Sequence, residues 1–184
     1  MIYIVRHGLD NEDYIGGWSD VDLTRVGVKQ IHNSSQFIVD NELVINKIIS
    51  SDIKRAKSTS KIINGYLKLD IIYDNKLREL DKGDYTGILK STLNDEEIEK
   101  INKFDIMDKY PNGESMIDLY KRMKIYLNNF NEDNVLLVTH RGVINMFYYI
   151  LNDVKVDMDK EKFDVIHGSI HEMDMKKKLV RRMY

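Results

Sequence analysis

Val135-Leu136-Leu137-Val138-Thr139-His140-Arg141-Gly142 is the stretch from which the rest of this chain can be read. Its four consecutive aliphatic residues predict a strand buried on both faces, the pattern of a parallel sheet. The glycine that follows predicts a tight turn into a helix. Ile2-Tyr3-Ile4-Val5-Arg6-His7-Gly8 repeats the design: a β-branched and aromatic strand, then a basic residue, a histidine and a glycine. Lys47–Ser50 and Leu69–Tyr73 predict two further strands. Between them, Thr24 is expected to cap a helix reaching about Asp40, with Val28, Ile31, Ser35 and Ile38 on one face. Ile53–Leu67 predicts a second helix. The turn Pro111-Asn112-Gly113 precedes a third, from about Ser115 to Phe130, which Ser115 and Asp118 open as a capping box. Asp164–Ile166 and Ser169–Met175 read as closing strands. Strands alternating with helices predict an α/β fold, a three-layer α/β/α sandwich around a mostly parallel sheet. With 184 residues the chain is expected to form a single domain, 1–184, with a charged helical insertion at about 88–113 covering one edge.

Composition narrows the function. Lys+Arg number 28 against Asp+Glu 30, a formal net charge of −2, so the chain lacks the basic excess that coats nucleic acid. A local positive pocket for a small anion remains open. The 42% hydrophobic and 32% charged residues suit a soluble chain with a substantial core. Cys is 0, which rules out disulfides, zinc–thiolate sites and thiol catalysis. Arg6 and His7 interrupt the apolar opening far short of an export signal or a membrane span, so no membrane partner is expected and the expected location is the cytoplasm.

In open parallel sheets, ligands bind beyond the carboxyl ends of the strands. His7 and His140 both fall there. A third strand ends at Ser50 and leads through Ser51 and Asp52 to Arg55. Arg6, His7, Arg55 and His140 can therefore converge on one rim. Two guanidiniums and two imidazoles make a pocket for a tetrahedral oxyanion, phosphate above all. Taken singly each is bland, a solvated arginine or a satisfied strand-end histidine; their joint placement is what points to a site. His32 lies mid-helix and reads as surface. His167 and His171 have an i, i+4 spacing that suits a metal only on a helix, and they fall in strand-like sequence, so no metal pair is expected.

Those residues belong to a longer ordered set. Arg6-His7-Gly8 resembles the RHG motif of the histidine phosphatase superfamily, also called phosphoglycerate-mutase-like. Gly17-Trp18-Ser19-Asp20-Val21-Asp22-Leu23-Thr24 resembles its GWxDxPLT segment, and Ser51-Asp52-Ile53-Lys54-Arg55-Ala56 resembles SDLxRA. Leu77-Arg78-Glu79 with Gly83 and Gly87, Pro111-Asn112-Gly113-Glu114-Ser115, and Val138-Thr139-His140-Arg141-Gly142 continue the match in order along nearly the whole chain. The chain departs from the pattern at Leu9-Asp10, at Tyr85-Thr86, at Arg141 and in the proline missing from Val21–Leu23.

The resemblance implies a phosphoglycerate-mutase-like fold and a division of labour. His7 would attack phosphorus and become a phosphohistidine, a turn carbonyl holding its other N–H. Arg6, Arg55 and His140 would hold the phosphoryl oxygens, with Asn11 at the family's phosphate-binding asparagine. Glu79 would serve as general acid. Fixed cations take the place of a metal, so neither metal nor cofactor is expected. The expected function is a metal-independent phosphomonoester hydrolase acting on a small phosphorylated metabolite. The alternatives are a phosphoglycerate mutase, a protein phosphohistidine phosphatase, or a phospho-ligand binding module without turnover. Hydrolysis is expected over mutase action because the chain reaches Tyr184 soon after its last predicted strand, and its basic tail from Lys176 reads as a final edge strand or a frayed terminus rather than a flap over the ligand. Neither the substrate nor the oligomeric state is written in any motif.

Overall fold

The computed structural model describes residues 1–184. Its strands are β1 (Ile2–Arg6), β2 (Lys47–Ser50), β3 (Ile71–Tyr73), β4 (Val135–Thr139), β5 (Ile170–Asp174) and β6 (Leu179–Arg182). Its helices are α1 (Arg25–Asp40), α2 (Lys54–Leu67), α3 (Asp95–Asn102), α4 (Met116–Asn128) and α5 (Arg141–Leu151). The strands form one sheet in the order β3-β2-β4-β1-β5-β6. The first four run parallel, while β5 is antiparallel to β1 and β6 to β5.

Strand alternation divides the core. Ile2, Ile4, Val135 and Leu137 face one way, packing with Leu119 and Met123 of α4 and Ile144 and Phe147 of α5. Tyr3, Val5, Leu136 and Val138 face the other way, onto Ile31 and Ile38 of α1 and Ala56 and Ile63 of α2. Side chains at i and i+2 share a face of a strand, so residues of the same run serve both cores. The result is three layers, helix–sheet–helix, with β4 buried on both sides.

Local signals set most boundaries. The Thr24 hydroxyl accepts from the Gly27 amide at 3.0 Å and opens α1. Ser115 and Asp118 form the reciprocal box at the start of α4. Between Leu69 and Tyr73 only Ile71–Tyr73 pairs as strand.

Two expectations need correction. The 88–113 segment is helical only over α3 and a short turn at Lys90–Thr92. Asn94 caps α3 well, but further on Asp105 and Asp108 bond nearby backbone amides, an alternative that competes with helix. Asp164–Ile166 is not a strand either. Val165 turns its carbonyl toward Arg6 Nη1, at 2.7 Å, instead of toward a sheet neighbour.

Candidate active site

The sheet order brings the functional strand ends together. β4 lies between β1 and β2, with Arg6 opposite Thr139 and Ser50 opposite Val138. His7, His140 and Ser51 therefore leave the sheet side by side. Because β5 runs antiparallel, Ile170 pairs with Val5, and the residues before it arrive at the same rim.

His7 is buried, and its Nδ1 lies 2.8 Å from the Gly8 carbonyl. A carbonyl can only accept, so Nδ1 carries the proton and Nε2 presents a lone pair. That lone pair receives Arg55 Nε at 3.3 Å. The His140 ring sits with its centroid 5.0 Å from that of His7, and its Nε2 is 2.8 Å from Ser51 Oγ. Gly8 allows α1 to close over this turn: a Cβ there would come within 3.0 Å of the Gly27 backbone.

Arg55 enters from the first turn of α2 and is 2% exposed. Its Nη2 donates to the Gly17 carbonyl at 2.7 Å, and its Nε lies 3.3 Å from Asp10 Oδ2. Arg6 donates through Nη1 to Val165 and approaches His167 Nε2 with Nη2 at 2.6 Å. Arg6 Nε and His140 Nδ1 are buried without any hydrogen-bond partner. A buried donor or acceptor left so costs about 1–3 kcal/mol, which for Arg6, a residue of the cavity lining, a bound oxyanion would relieve.

Glu79 is held at both ends. Its carboxylate accepts from the amides of Leu80 and Gly142 at 2.8 and 3.1 Å. A Cβ at Gly142 would collide with the Glu79 carboxylate oxygen, so a larger residue there would displace Glu79 from its place. The Glu79 carbonyl takes Trp18 Nε1 at 2.8 Å and Arg122 Nη2 at 3.1 Å. Arg122 in turn grips the Glu114 carboxylate at 2.8 Å through both Nε and Nη2. Trp18 and Glu114, read from the sequence only as motif positions, thus fix the backbone that aims Glu79. Arg78 is committed to Asp52, at 2.6 and 2.5 Å, so it does not pair with Glu79.

Arg6, His7, Arg55, Glu79 and the exposed Asn11 all line one cavity of about 300 Å³. Asn11 uses its side-chain oxygen on the Asp13 amide at 3.0 Å. Arg141 lines the same cavity and pairs with Glu161. His32 is on the surface against Tyr66, as expected. His167 is not in a strand but in the loop before β5, with its ring 5.5 Å from that of His7. Sequence reading set His167 aside, and noted Asp10 only as a departure. His7, Asp10 and His167 each offer a ligand atom within 4.8 Å of the others. All three already face guanidinium groups, whose positive charge opposes a cation at this point.

Burial, then the charge of Arg55, the neighbouring His140 imidazole and the charge of Arg6, holds His7 well below the ordinary imidazole range. Burial and the two arginines do the same to His140. Burial lowers Arg6 to about 10 and raises Asp10. His167 falls to about 3 and His171 to about 4, again chiefly by burial. A depressed folded pKa means the unfolded chain binds more protons between the two values, so stability falls as pH drops below about 6.5. Each such histidine is expected to remove at most about 1.4 kcal/mol per pH unit. His171, bonded to Tyr148 and Ser169, lies outside the cavity and supplies the cleanest check. Melting temperatures measured from pH 7 to 5 should decline, and His171→Gln should flatten the slope; a flat wild-type profile would contradict the assignment.

A family model described as the histidine phosphatase superfamily (branch 1) matches residues 2–183. The Proteus mirabilis protein named "Probable phosphoglycerate mutase GpmB" is 36% identical over 151 residues, covering 76% of this chain and 68% of the relative. A mycobacterial glucosyl-3-phosphoglycerate phosphatase structure is 18% identical, with TM-score 0.75 over 99% of this chain and 96% of that one. A Thermus thermophilus phosphoglycerate mutase structure is 23% identical, with TM-score 0.71 over 100% of this chain and 98% of that one. No helix is long and apolar enough to cross a membrane.

Proposed function

The chain belongs to the histidine phosphatase superfamily, and on that premise we propose that it hydrolyses a small phosphomonoester through a phosphohistidine on His7. The observation that carries this reading is the pairing of an uncharged, Nδ1-protonated His7 with flanking guanidiniums at the floor of the cavity. His7 Nε2 attacks phosphorus and the bond to the ester oxygen breaks. The leaving oxygen takes a proton from Glu79. Water then attacks the phosphohistidine, gives its proton to Glu79, and the P–N bond breaks to restore the imidazole and free phosphate. Arg6, Arg55 and His140 hold the oxygens on which charge spreads in both transition states. The buried, unpartnered Nε of Arg6, a residue of the cavity lining, supports that role; His140 is fully buried beside His7 and does not itself line the cavity. Asn11 is assigned to the same oxygens from the cavity wall. Fixed side-chain cations supply the charge stabilisation that a metal supplies elsewhere.

The curated relative's name favours a second reading, phosphoglycerate mutase. A mutase must shield its phosphohistidine from water until the intermediate has reoriented. Here the cavity wall includes the exposed side chains of Asn11, Glu12, Lys90 and Lys160, an arrangement that admits water. The test supplies 3-phosphoglycerate with catalytic 2,3-bisphosphoglycerate and follows isomer and free phosphate together, alongside a panel of phosphorylated metabolites. Phosphate release is expected to outpace isomer formation. Rapid isomer exchange with negligible phosphate would replace hydrolysis by mutase action.

A further inference from the structure

One carboxylate stands among the cations at the cavity floor, and the chemistry above gives it no part. Asp10 follows His7 by three residues, at a point where the chain departs from the family pattern. Its Oδ2 lies 3.3 Å from Arg55 Nε, the nitrogen that also lies 3.3 Å from His7 Nε2. Its Oδ1 is 3.9 Å from His167 Nε2. Arg55 spends Nη1 on Ser19 and Nη2 on the Gly17 carbonyl, so Nε is the donor it turns toward the nucleophile. A phosphoryl oxygen drawn to that donor arrives beside the Asp10 carboxylate.

The backbone does not carry Asp10 away. Asp10 bridges Leu23 as an antiparallel pair, and the Leu9 carbonyl accepts from the amide and the hydroxyl of Thr24, at 2.8 and 3.0 Å. The Leu9 amide donates to Gln30 Oε1 at 2.9 Å, and a Cβ on Gly27 would collide with the Leu9 backbone. The groups facing the Asp10 side chain are Arg55 from α2, Arg6 and His7 from the end of β1, His167 from the loop before β5, and Glu12 on its own loop. Burial raises the Asp10 pKa in the free protein, against the pull of Arg55 and Arg6. A second anion confined beside the same guanidinium favours the neutral acid further.

We propose that Asp10 is a ligand of the phosphoryl group, and that it serves as the neutral acid. In the free protein its carboxylate accepts from Arg55. When the phosphoryl group binds, Asp10 takes one proton from solvent, its O–H donates to a phosphoryl oxygen, and Arg55 Nε donates to the phosphoryl group instead. The proton returns to solvent when phosphate leaves. This rests on the phosphatase reading and adds a proton-linked ligand to its site. Because binding raises the proton affinity of Asp10, anion affinity rises as pH falls toward the range of the free carboxylate.

Sulfate is the probe, since it stays a tetrahedral dianion from pH 5 to 8 and needs no turnover. Isothermal titration calorimetry in buffers of different ionisation enthalpy gives both the Kd and the protons taken up. At pH 7.5, Asp10→Asn is expected to bind sulfate about tenfold or more tighter than wild type, and the gap should close as pH falls to 5. At pH 6, wild type should take up more protons than Asp10→Asn. That difference should persist in a His7→Gln background, which removes the neighbouring proton acceptor. Asp10→Ser takes the place of Asp10→Asn should the latter not fold. Glu12→Gln, on the exposed wall, should change the affinity far less. Equal proton uptake, a gap independent of pH, an equal effect of Glu12→Gln, or a proton difference lost with His7 overturns the proposal and leaves the phosphatase reading standing. Sulfate bound by neither protein at any pH would remove the anion site itself, and both readings with it.

Discussion

His7→Ala is expected to abolish phosphate release, lowering kcat by about 10⁴-fold or more while the protein still folds, because no other side chain stands ready to take the phosphoryl group. The imidazole is uncharged, its Nδ1 proton is committed to the Gly8 carbonyl, and its Nε2 faces Arg55. His140 does not replace it, since its Nε2 is engaged with Ser51. Brief mixing of wild type with ³²P-labelled substrate, followed by quenching, should leave label that is stable in alkali and labile in acid. The same label should be absent from the variant. Label on serine or aspartate, or turnover that survives the substitution, would remove His7 from the mechanism. Far-UV circular dichroism of the variant separates a lost nucleophile from a lost fold.

Arg55→Ala is expected to be nearly as damaging, and in two ways. Kinetically, a guanidinium aimed at the developing charge should be worth about 10²–10³ in kcat, the range seen for single oxyanion donors. Structurally, Arg55 is buried and holds the Gly17 carbonyl, Ser19 and the Asp10 carboxylate. Removing it leaves the half-buried Asp10 without its counter-charge, a change that costs on the order of 1–3 kcal/mol. Sequence reading treated Arg55 as either catalytic or solvated; the burial means that it also ties the 10–20 loop to α2. Arg55→Lys separates the two roles. It keeps one positive charge beside Asp10 but has no planar fork to reach Gly17 and Ser19 as well. The lysine variant should therefore melt closer to wild type than Arg55→Ala does, yet remain well below it in kcat/KM. Unchanged kcat/KM for p-nitrophenyl phosphate in Arg55→Ala, assayed below its melting temperature, would dissolve the four-residue pocket of Arg6, His7, Arg55 and His140.

Much of the architecture follows from patterns a few residues long. Val135–Val138 read most clearly of all as a buried strand, and Thr24 and Ser115 announced their helices through side chains that satisfy the first free amides. His7 and His140 were legible for a related reason: placed directly after β1 and β4, they had to emerge at the carboxyl edge of a parallel sheet. The 88–113 segment was harder, because a charged run with apolar residues at helical spacing also fits irregular chain when aspartates bond the local backbone.

Strand direction and long-range packing settled the rest. His167 reaches Arg6 because β5 runs antiparallel to β1, which returns the loop before it to the rim; nothing local in Ile166-His167-Gly168 encodes that reversal. Glu79 owes its aim to Trp18, Arg122 and Gly142, residues about 40–60 positions away in the chain. Lys82 and Lys160 share a cavity wall although 77 residues lie between them. Periodicity and capping report the burial and hydrogen bonding of neighbouring residues, so sequence alone determined most of the strands and helices and the sheet edge at which His7 and His140 emerge. Which distant charges face one another depends on the order and direction of strands in the finished sheet, and that the tertiary structure alone decided.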